Sequence, residues 1–213
     1  MIYLIVGRTG SGKDYLAHKL CSKYNLKELK SYTTRPKRFE DEDTHIFINP
    51  EDSKLYTDRV AETNINGYEY FATKQQVEDC DIYLIDPNGL KYLVKNMPDT
   101  NFSIIYVSSL NNMRLNRAIS RVNAKPEDLD NVKKTVYERS FSENNQFSLF
   151  ENHYLNNLKL DVATEIICSD TFYEDLNINK IYLYLNSYSE EYCDEWVDTF
   201  YKNVIIKNIE NNL

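Results

Sequence analysis

The chain has 213 residues, 42% hydrophobic and 27% charged, which suits one or at most two domains of about 150 residues with a buried core. Its 25 basic and 33 acidic residues give a net charge of −8, which disfavours non-specific binding to nucleic acid or anionic lipid. No apolar run nears the ~18 residues of a membrane span, Met1 leads into Ile2–Val6 without a basic leader, and Cys21, Cys80, Cys168 and Cys193 form no C-x-x-C pair. The expectation is a cytoplasmic protein with reduced thiols, no zinc site, no disulfide framework, and no nucleic-acid or membrane partner.

In chain order, Ile2–Val6 is a continuous apolar run of the kind buried on both faces of a parallel sheet. A glycine-rich turn follows, then a helix over Lys13–Tyr24 with Leu16, Ala17 and Leu20 at helical spacing. Residues 31–74 are polar, rich in Thr, Tyr and acids, and short in their periodic runs; they predict a small subdomain of short strands. Ile82–Ile85 and Ile104–Val107 are two more buried strands, each followed by a helical pattern. Residues 116–150 predict a polar helical segment broken at Pro126, with Leu129, Val132 and Val136 as one modest apolar face. Val162–Cys168 makes a fourth strand. Ile178, Ile181, Tyr182 and Leu185 keep a helical period. After a Ser187…Glu190 capping box, so do Tyr192, Trp196, Phe200 and Val204, an aromatic stripe suited to core packing or to a partner surface. Strands alternating with helices predict βαβ units around a parallel sheet.

Between the first strand and helix, Gly7-Arg8-Thr9-Gly10-Ser11-Gly12-Lys13-Asp14 fits G-x-x-x-x-G-K, with Asp where the pattern ends in Ser or Thr. Glycines let successive backbone N–H groups turn inward as an anion nest, and the helix dipole adds positive potential. Lys13 supplies a mobile charge for the β- and γ-phosphates of a nucleotide. Asp14 is a hard oxygen ligand where a hydroxyl usually meets Mg²⁺, so it is the candidate metal ligand.

Beyond the loop, Ser31-Tyr-Thr-Thr-Arg35-Pro-Lys-Arg38 resembles the S-x-T-T-R-x-P-R segment of guanylate kinases. The resemblance extends to Thr44-His45-Ile46-Phe47, Gly67-Tyr-Glu-Tyr70 and Ile85-Asp86-Pro-Asn-Gly89, in that family's order and at similar spacing. It implies an α/β fold: a three-layer P-loop NTPase-type parallel sheet with an inserted nucleotide-binding subdomain and a helical lid. One kinase domain would comprise core segments 1–30, 75–115 and 151–188, insert 31–74 and lid 116–150, followed by a helical extension 189–213. It also implies ATP and Mg²⁺ as cofactors and GMP or dGMP as acceptor.

Residue by residue, the resemblance gives Arg35 and Arg38 to the acceptor phosphate, with Tyr70 donating its hydroxyl and His45 standing where the family has a second tyrosine. Ser31, Glu62 and Asp86 would face the base, since guanine's N1–H and exocyclic amine suit carboxylates. Glu62 needs a one-residue gap relative to Tyr70; Ala72 and Leu84 replace a hydroxyl residue and an acid of the family pattern. Independently, Lys30, Arg35, Lys37 and Arg38 make a local basic patch in an acidic chain, next to Glu40–Asp43.

Arg114, Arg117 and Arg121 share one helix face at i, i+3 and i+7. By resemblance Arg121 and Arg139 are lid arginines that complete, with Lys13 and Arg35, the charge stabilisation of phosphoryl transfer. Arg114 reads as a solvated surface residue, and His18 and His153 as structural. The alternatives are a related kinase for another nucleotide or a ribose bisphosphate, and a non-catalytic protein-binding module of the same fold. The tail after Tyr188 is available for docking on the core or for homodimerisation.

Overall fold

The computed structural model describes residues 1–109, 111–122, 125–150 and 163–168. In chain order the first half contains β1 (Ile2–Val6), α1 (Lys13–Tyr24), β2 (Glu28–Leu29), β3 (Tyr32–Thr33), β4 (Ile46–Phe47), β5 (Arg59–Ile65), β6 (Tyr68–Thr73) and α2 (Lys74–Glu78). The second contains β7 (Ile82–Leu84), α3 (Pro87–Asn96), β8 (Phe102–Ser109), α4 (Asn111–Ser120), α5 (Leu129–Phe150) and β9 (Ala163–Cys168). Short 3₁₀ turns lie at Asp52–Leu55 and Pro126–Asp128.

All five residues of β1 are buried, and they divide by parity. Ile2, Leu4 and Val6 enter one core with Leu90 and Leu93 of α3 and Phe147 of α5. Tyr3 and Ile5 enter a second core with Leu16, Ala17 and Leu20 of α1. A strand's side chains alternate between faces, so a run that is apolar throughout must be covered on both, and a helix–sheet–helix sandwich results. Each fully buried Leu or Ile contributes about 1.5–3 kcal/mol relative to exposure.

The main sheet is parallel, in the order β2-β7-β1-β8-β9. Ile5 lies opposite Leu84 on one side and Ile105 on the other. The strand expected over Ile82–Ile85 ends at Leu84, although Ile85 N–H still reaches the carbonyl of Ile5 at 3.1 Å. Because β1 is flanked by β7 and β8, the loop leaving its carboxyl end opens into the crevice where the strand order turns back.

Residues 32–73 supply a second sheet, β4-β3-β6-β5, within the segment read as a subdomain of short strands. Its hairpin β5–β6 turns at Asn66-Gly67, both left-handed (φ 53° and 82°), the backbone that a two-residue hairpin turn demands. A capping box joins it to α2: the Thr73 hydroxyl accepts from Gln76 N–H while the Gln76 side chain accepts from Thr73 N–H.

The polar helical segment is α4, the Pro126 turn and α5; α4 begins at Asn111, ahead of the expected start at 116. Leu129, Val132 and Val136 are only half-buried, and their stripe continues through Ser140 and Glu143 to buried Phe147. The helical patterns at Ile178–Leu185 and Tyr192–Val204, the Ser187…Glu190 box, Cys193 and His153 lie outside the described residues. Among the described residues no helix is long and apolar enough to cross a membrane.

The phosphate loop packs on α4. Gly10 has φ +78°, and a Cβ there would stand 2.2 Å from the carbonyl oxygen of Arg114. Gly10→Ala is expected to cost about 2–5 kcal/mol of unfolding free energy, from left-handed strain plus overpacking. The measurement is the urea midpoint; a midpoint equal to that of the unsubstituted protein would refute this packing.

Candidate active site

Residues 7–14 pass from the end of β1 to the start of α1, with a tight turn in which Ser11 N–H reaches the Arg8 carbonyl at 3.1 Å. Gly12 is the α1 N-cap at φ 98°, and no side chain caps the helix. The orphan N–H groups of its first turn are therefore available to an anion, with the helix dipole behind them. Lys13 Nζ lies 3.5 Å from Asp14 Oδ2. The Asp14 carboxyl is held below its usual range first by Lys13 and then by Arg121, which brings Arg121 to this end of the site.

A loop that turns its N–H groups inward turns carbonyls outward, and those need donors. Helix α4 provides them. Arg114 NH1 donates to the Thr9 carbonyl at 2.9 Å, Arg117 NH1 to the Gly10 carbonyl at 3.3 Å, and Arg114 NH2 to Asn111 Oδ1. Arg114 is 3% exposed, which corrects its reading as a solvated surface residue. Of the three arginines aligned by spacing, Arg114 and Arg117 lie under the loop, whereas Arg121 follows the end of α4 and is exposed.

Helix α5 holds the loop's other side through residues the sequence did not single out. Thr9 donates its N–H to Glu143 Oε2 at 3.2 Å and its hydroxyl to Glu143 Oε1. Arg8 NH1 donates to Asn144 Oδ1 at 2.7 Å and its guanidinium lies 5.1 Å from the Phe147 ring centre. Arg139 Nε lies 3.5 Å from Glu143 Oε1. The available signal was the continuation of the Leu129–Val136 stripe at three- and four-residue steps into Glu143 and Phe147.

On the inserted sheet, Arg35 and Glu42 are a buried pair, 8% and 2% exposed. Arg35 NH2 and NH1 donate to Glu42 Oε1 and Oε2 at 2.8 and 3.1 Å, NH1 also to the Pro36 carbonyl, and Nε to the Tyr70 hydroxyl at 3.1 Å. Glu42 further accepts from Arg38 N–H at 2.6 Å and Thr44 Oγ1 at 3.2 Å. The Arg35 guanidinium holds the Glu42 carboxyl at a pKa of about 2. Arg35 is therefore largely engaged, whereas the Arg38 side chain is 58% exposed. Partial burial, then Arg35 and Arg139, lower the Arg38 pKa, which brings Arg38 and Arg139 within electrostatic reach.

His45 sits between these groups. Its Nδ1 is 3.1 Å from Ser31 Oγ, and its ring meets Tyr70 edge-on at 5.4 Å. Burial and then Arg35 push its pKa down to about 4, so the imidazole is neutral at pH 7. Ser31, His45, Tyr70, Arg35 and Arg38 thus come together.

Glu62 does not join them. Pairing in the β5–β6 hairpin runs unbroken from Ala61↔Ala72 to Ile65↔Tyr68, which puts Thr63 opposite Tyr70 and Glu62 opposite Phe71. Glu62 lies on the reverse face, where Arg59 NH1 bridges Glu62 Oε1 at 3.4 Å and Glu69 Oε2 at 3.1 Å with its guanidinium 3.8 Å from the Phe71 ring centre. The bulge that the hairpin does contain lies before Ala61, between Arg59 and Ala61, so it inserts no gap between Glu62 and Tyr70. Asp86 is the N-cap of α3: Oδ1 accepts from Asn88 N–H at 2.9 Å, Gly89 N–H at 3.2 Å and Gln146 Nε2 at 2.6 Å. Burial raises its pKa against these bonds and one from the Thr63 side chain.

No protein-family model matches the chain, and no curated protein matches it. Among solved structures, a guanylate kinase from Anaplasma phagocytophilum is 18% identical with a TM-score of 0.44, over 72% of this chain and 95% of that one. An uncharacterized protein from Eubacterium ventriosum is 13% identical with a TM-score of 0.38, over 78% and 89%. Likenesses this distant leave the chemistry to be read from the site's own residues.

Two depressed pKa values predict how acid acts. Unfolded His45 takes up a proton near pH 6.5 that the folded ring refuses until about 4, so stability falls as pH drops through that window. Unfolded Glu42 is protonated near 4.5 and the folded carboxylate only near 2, which gives a second fall between those values. In urea titrations across pH, His45→Asn should flatten the first fall and Glu42→Gln the second. Profiles parallel to that of the unsubstituted protein would refute these assignments.

Proposed function

We propose that the protein is a P-loop phosphotransferase that moves the γ-phosphate of Mg·ATP to a phosphorylated small-molecule acceptor of the nucleoside monophosphate class, with GMP and dGMP as the first candidates. The observation that carries this reading is an uncapped, glycine-turned helix N-terminus, together with a cluster of Arg35, Arg38, Tyr70 and neutral His45 on the inserted sheet. Residues 8–14 would hold the donor phosphates, with Lys13 following the charge between the β- and γ-positions. Arg121 and Arg139 would stabilise the group in flight, and Arg38 with Tyr70 would hold the acceptor phosphate. Arg35, tied to Glu42, would set the position of Tyr70 while offering the acceptor little charge of its own. Closure of α5 over the bound phosphates would exclude water and direct transfer to the acceptor.

The donor set fits a magnesium ion in part. Asp14 is exposed, ionised and beside Lys13, a hard oxygen at the metal-side end of the loop. Among the described residues no three His, Cys, Asp or Glu side chains gather as a cage, so phosphate oxygens and water would complete the coordination. Bound there, Mg²⁺ would neutralise charge on the β- and γ-phosphates.

A second acceptor reading is favoured by the two carboxylates. Glu62 is ion-paired on the reverse face, and Asp86 Oδ1 already accepts from the α3 cap and Gln146, so guanine's paired donors would not meet two unengaged carboxylates. Another (deoxy)nucleotide, or a ribose bisphosphate, satisfies the same phosphate end.

The test is ADP release with Mg·ATP against a panel of nucleoside monophosphates and ribose bisphosphates, each with an acceptor-free blank. Turnover with at least one acceptor is expected. Lys13→Met should lower kcat by about 10²–10³-fold, and Arg38→Ala should raise the acceptor KM and lower kcat together. If GMP is the acceptor, Glu62→Gln should leave its KM unchanged. Absence of turnover together with absence of ATP binding would favour the protein-binding module.

A further inference from the structure

Glu143 is a carboxylate seated on the phosphate loop. It takes both donors of Thr9, the backbone N–H at 3.2 Å and the hydroxyl, and it lies 3.5 Å from Arg139 Nε. Its side chain is only 14% exposed; Asn144 on Arg8 keeps α5 against the loop, and Gln146 on Asp86 ties the next turn to the start of α3. A backbone N–H in a glycine-rich nest and an arginine within reach of Arg38 are groups suited to a phosphate oxygen. Here one carboxylate satisfies both. Thr9 is on the part of the loop remote from the α1 N-terminus, and Arg139 is on the side of the acceptor cluster. Glu143 therefore stands where the outermost phosphate of a triphosphate, with its negative charge, has to go.

We propose that Glu143 is an internal stand-in for the terminal phosphate: in the nucleotide-free protein it closes the loop and holds Arg139, and a nucleoside triphosphate binds by displacing it. This rests on the reading of the loop as a triphosphate site. Release frees Arg139 for the phosphate being transferred, so the cationic group becomes available only once that phosphate has arrived. The helix bearing Glu143 also bears Gln146, so displacement is felt at Asp86 and at the start of α3. A diphosphate lacks the phosphate that meets Glu143 and binds with the latch closed.

That difference gives the test. Dissociation constants for ATP and for ADP are measured by calorimetry on the full chain and on Glu143→Gln. A latch closed in nine molecules of ten weakens apparent ATP affinity about tenfold, so E143Q should bind ATP about tenfold more tightly while ADP affinity changes by less than about twofold. Equal changes for the two nucleotides, or weaker ATP binding by the variant, would overturn the proposal, since either outcome makes Glu143 a support for the loop. Thr9→Val, which removes the hydroxyl donor and keeps the carboxylate, should shift ATP affinity in the same direction by a smaller factor, and it serves if E143Q does not fold. ATP binding that neither variant alters sinks the latch alone. A full chain that binds neither nucleotide sinks the triphosphate site and the latch together.

Discussion

The site depends on how the outward carbonyls of the phosphate loop are satisfied. A backbone that aims its N–H groups at one point aims its carbonyls away from it, and burying those oxygens without donors is costly. Arg114 and Arg117 supply the donors from α4, and the close approach of the loop to α4 at Gly10 leaves no room for a side chain. Gly10 and Arg114 are thus two halves of one constraint. The cradle is supported by a helix more than a hundred residues on in the chain.

A second buried pair plays the matching part on the inserted sheet. Glu42 draws together Arg35, the Arg38 backbone and Thr44, and through Arg35 it positions Tyr70. A buried ion pair of this kind contributes little net stability but is costly to break from one side. Its role is geometric: it organises the loop that carries Arg38, whose guanidinium stays mostly exposed with Glu42 Oε1 3.9 Å away. Helix α5 then ties the loop to the start of α3, with Glu143 on the loop and Gln146 on the α3 cap about a single helical turn apart.

The parts legible in the sequence were those with strong local physics. The run Ile2–Val6 and the spacing of Leu16, Ala17 and Leu20 anticipated β1 and α1, because a buried strand and an amphipathic helix leave different periods. The glycines of the loop were equally plain. Glu62 was not, because a strand's side-chain period is two and a one-residue difference in register reverses the face; the regular β5–β6 pairing settles its parity. Arg114 shows the limit of helical spacing, which groups residues on a face without saying what covers it. Glu143 and Gln146 were illegible for a related reason: on a polar helix, the residues that touch a polar site look like those that touch water.

The strand order carries a consequence for biosynthesis. The strand around which both cores assemble is made well before its partners, β7 and β8: Ile5 pairs with Leu84 and Ile105. At ordinary rates of translation of about 5–20 residues per second, β1 waits roughly 4–16 seconds for its first neighbour. During that interval five consecutive apolar residues have no sheet to join. The β5–β6 hairpin, closed by its own two-residue turn, has no such delay and can form while β1 is still unpaired. The emerging chain therefore exposes this apolar strand long before its partners exist, and a chaperone that recognises short extended apolar stretches would find a natural target in β1.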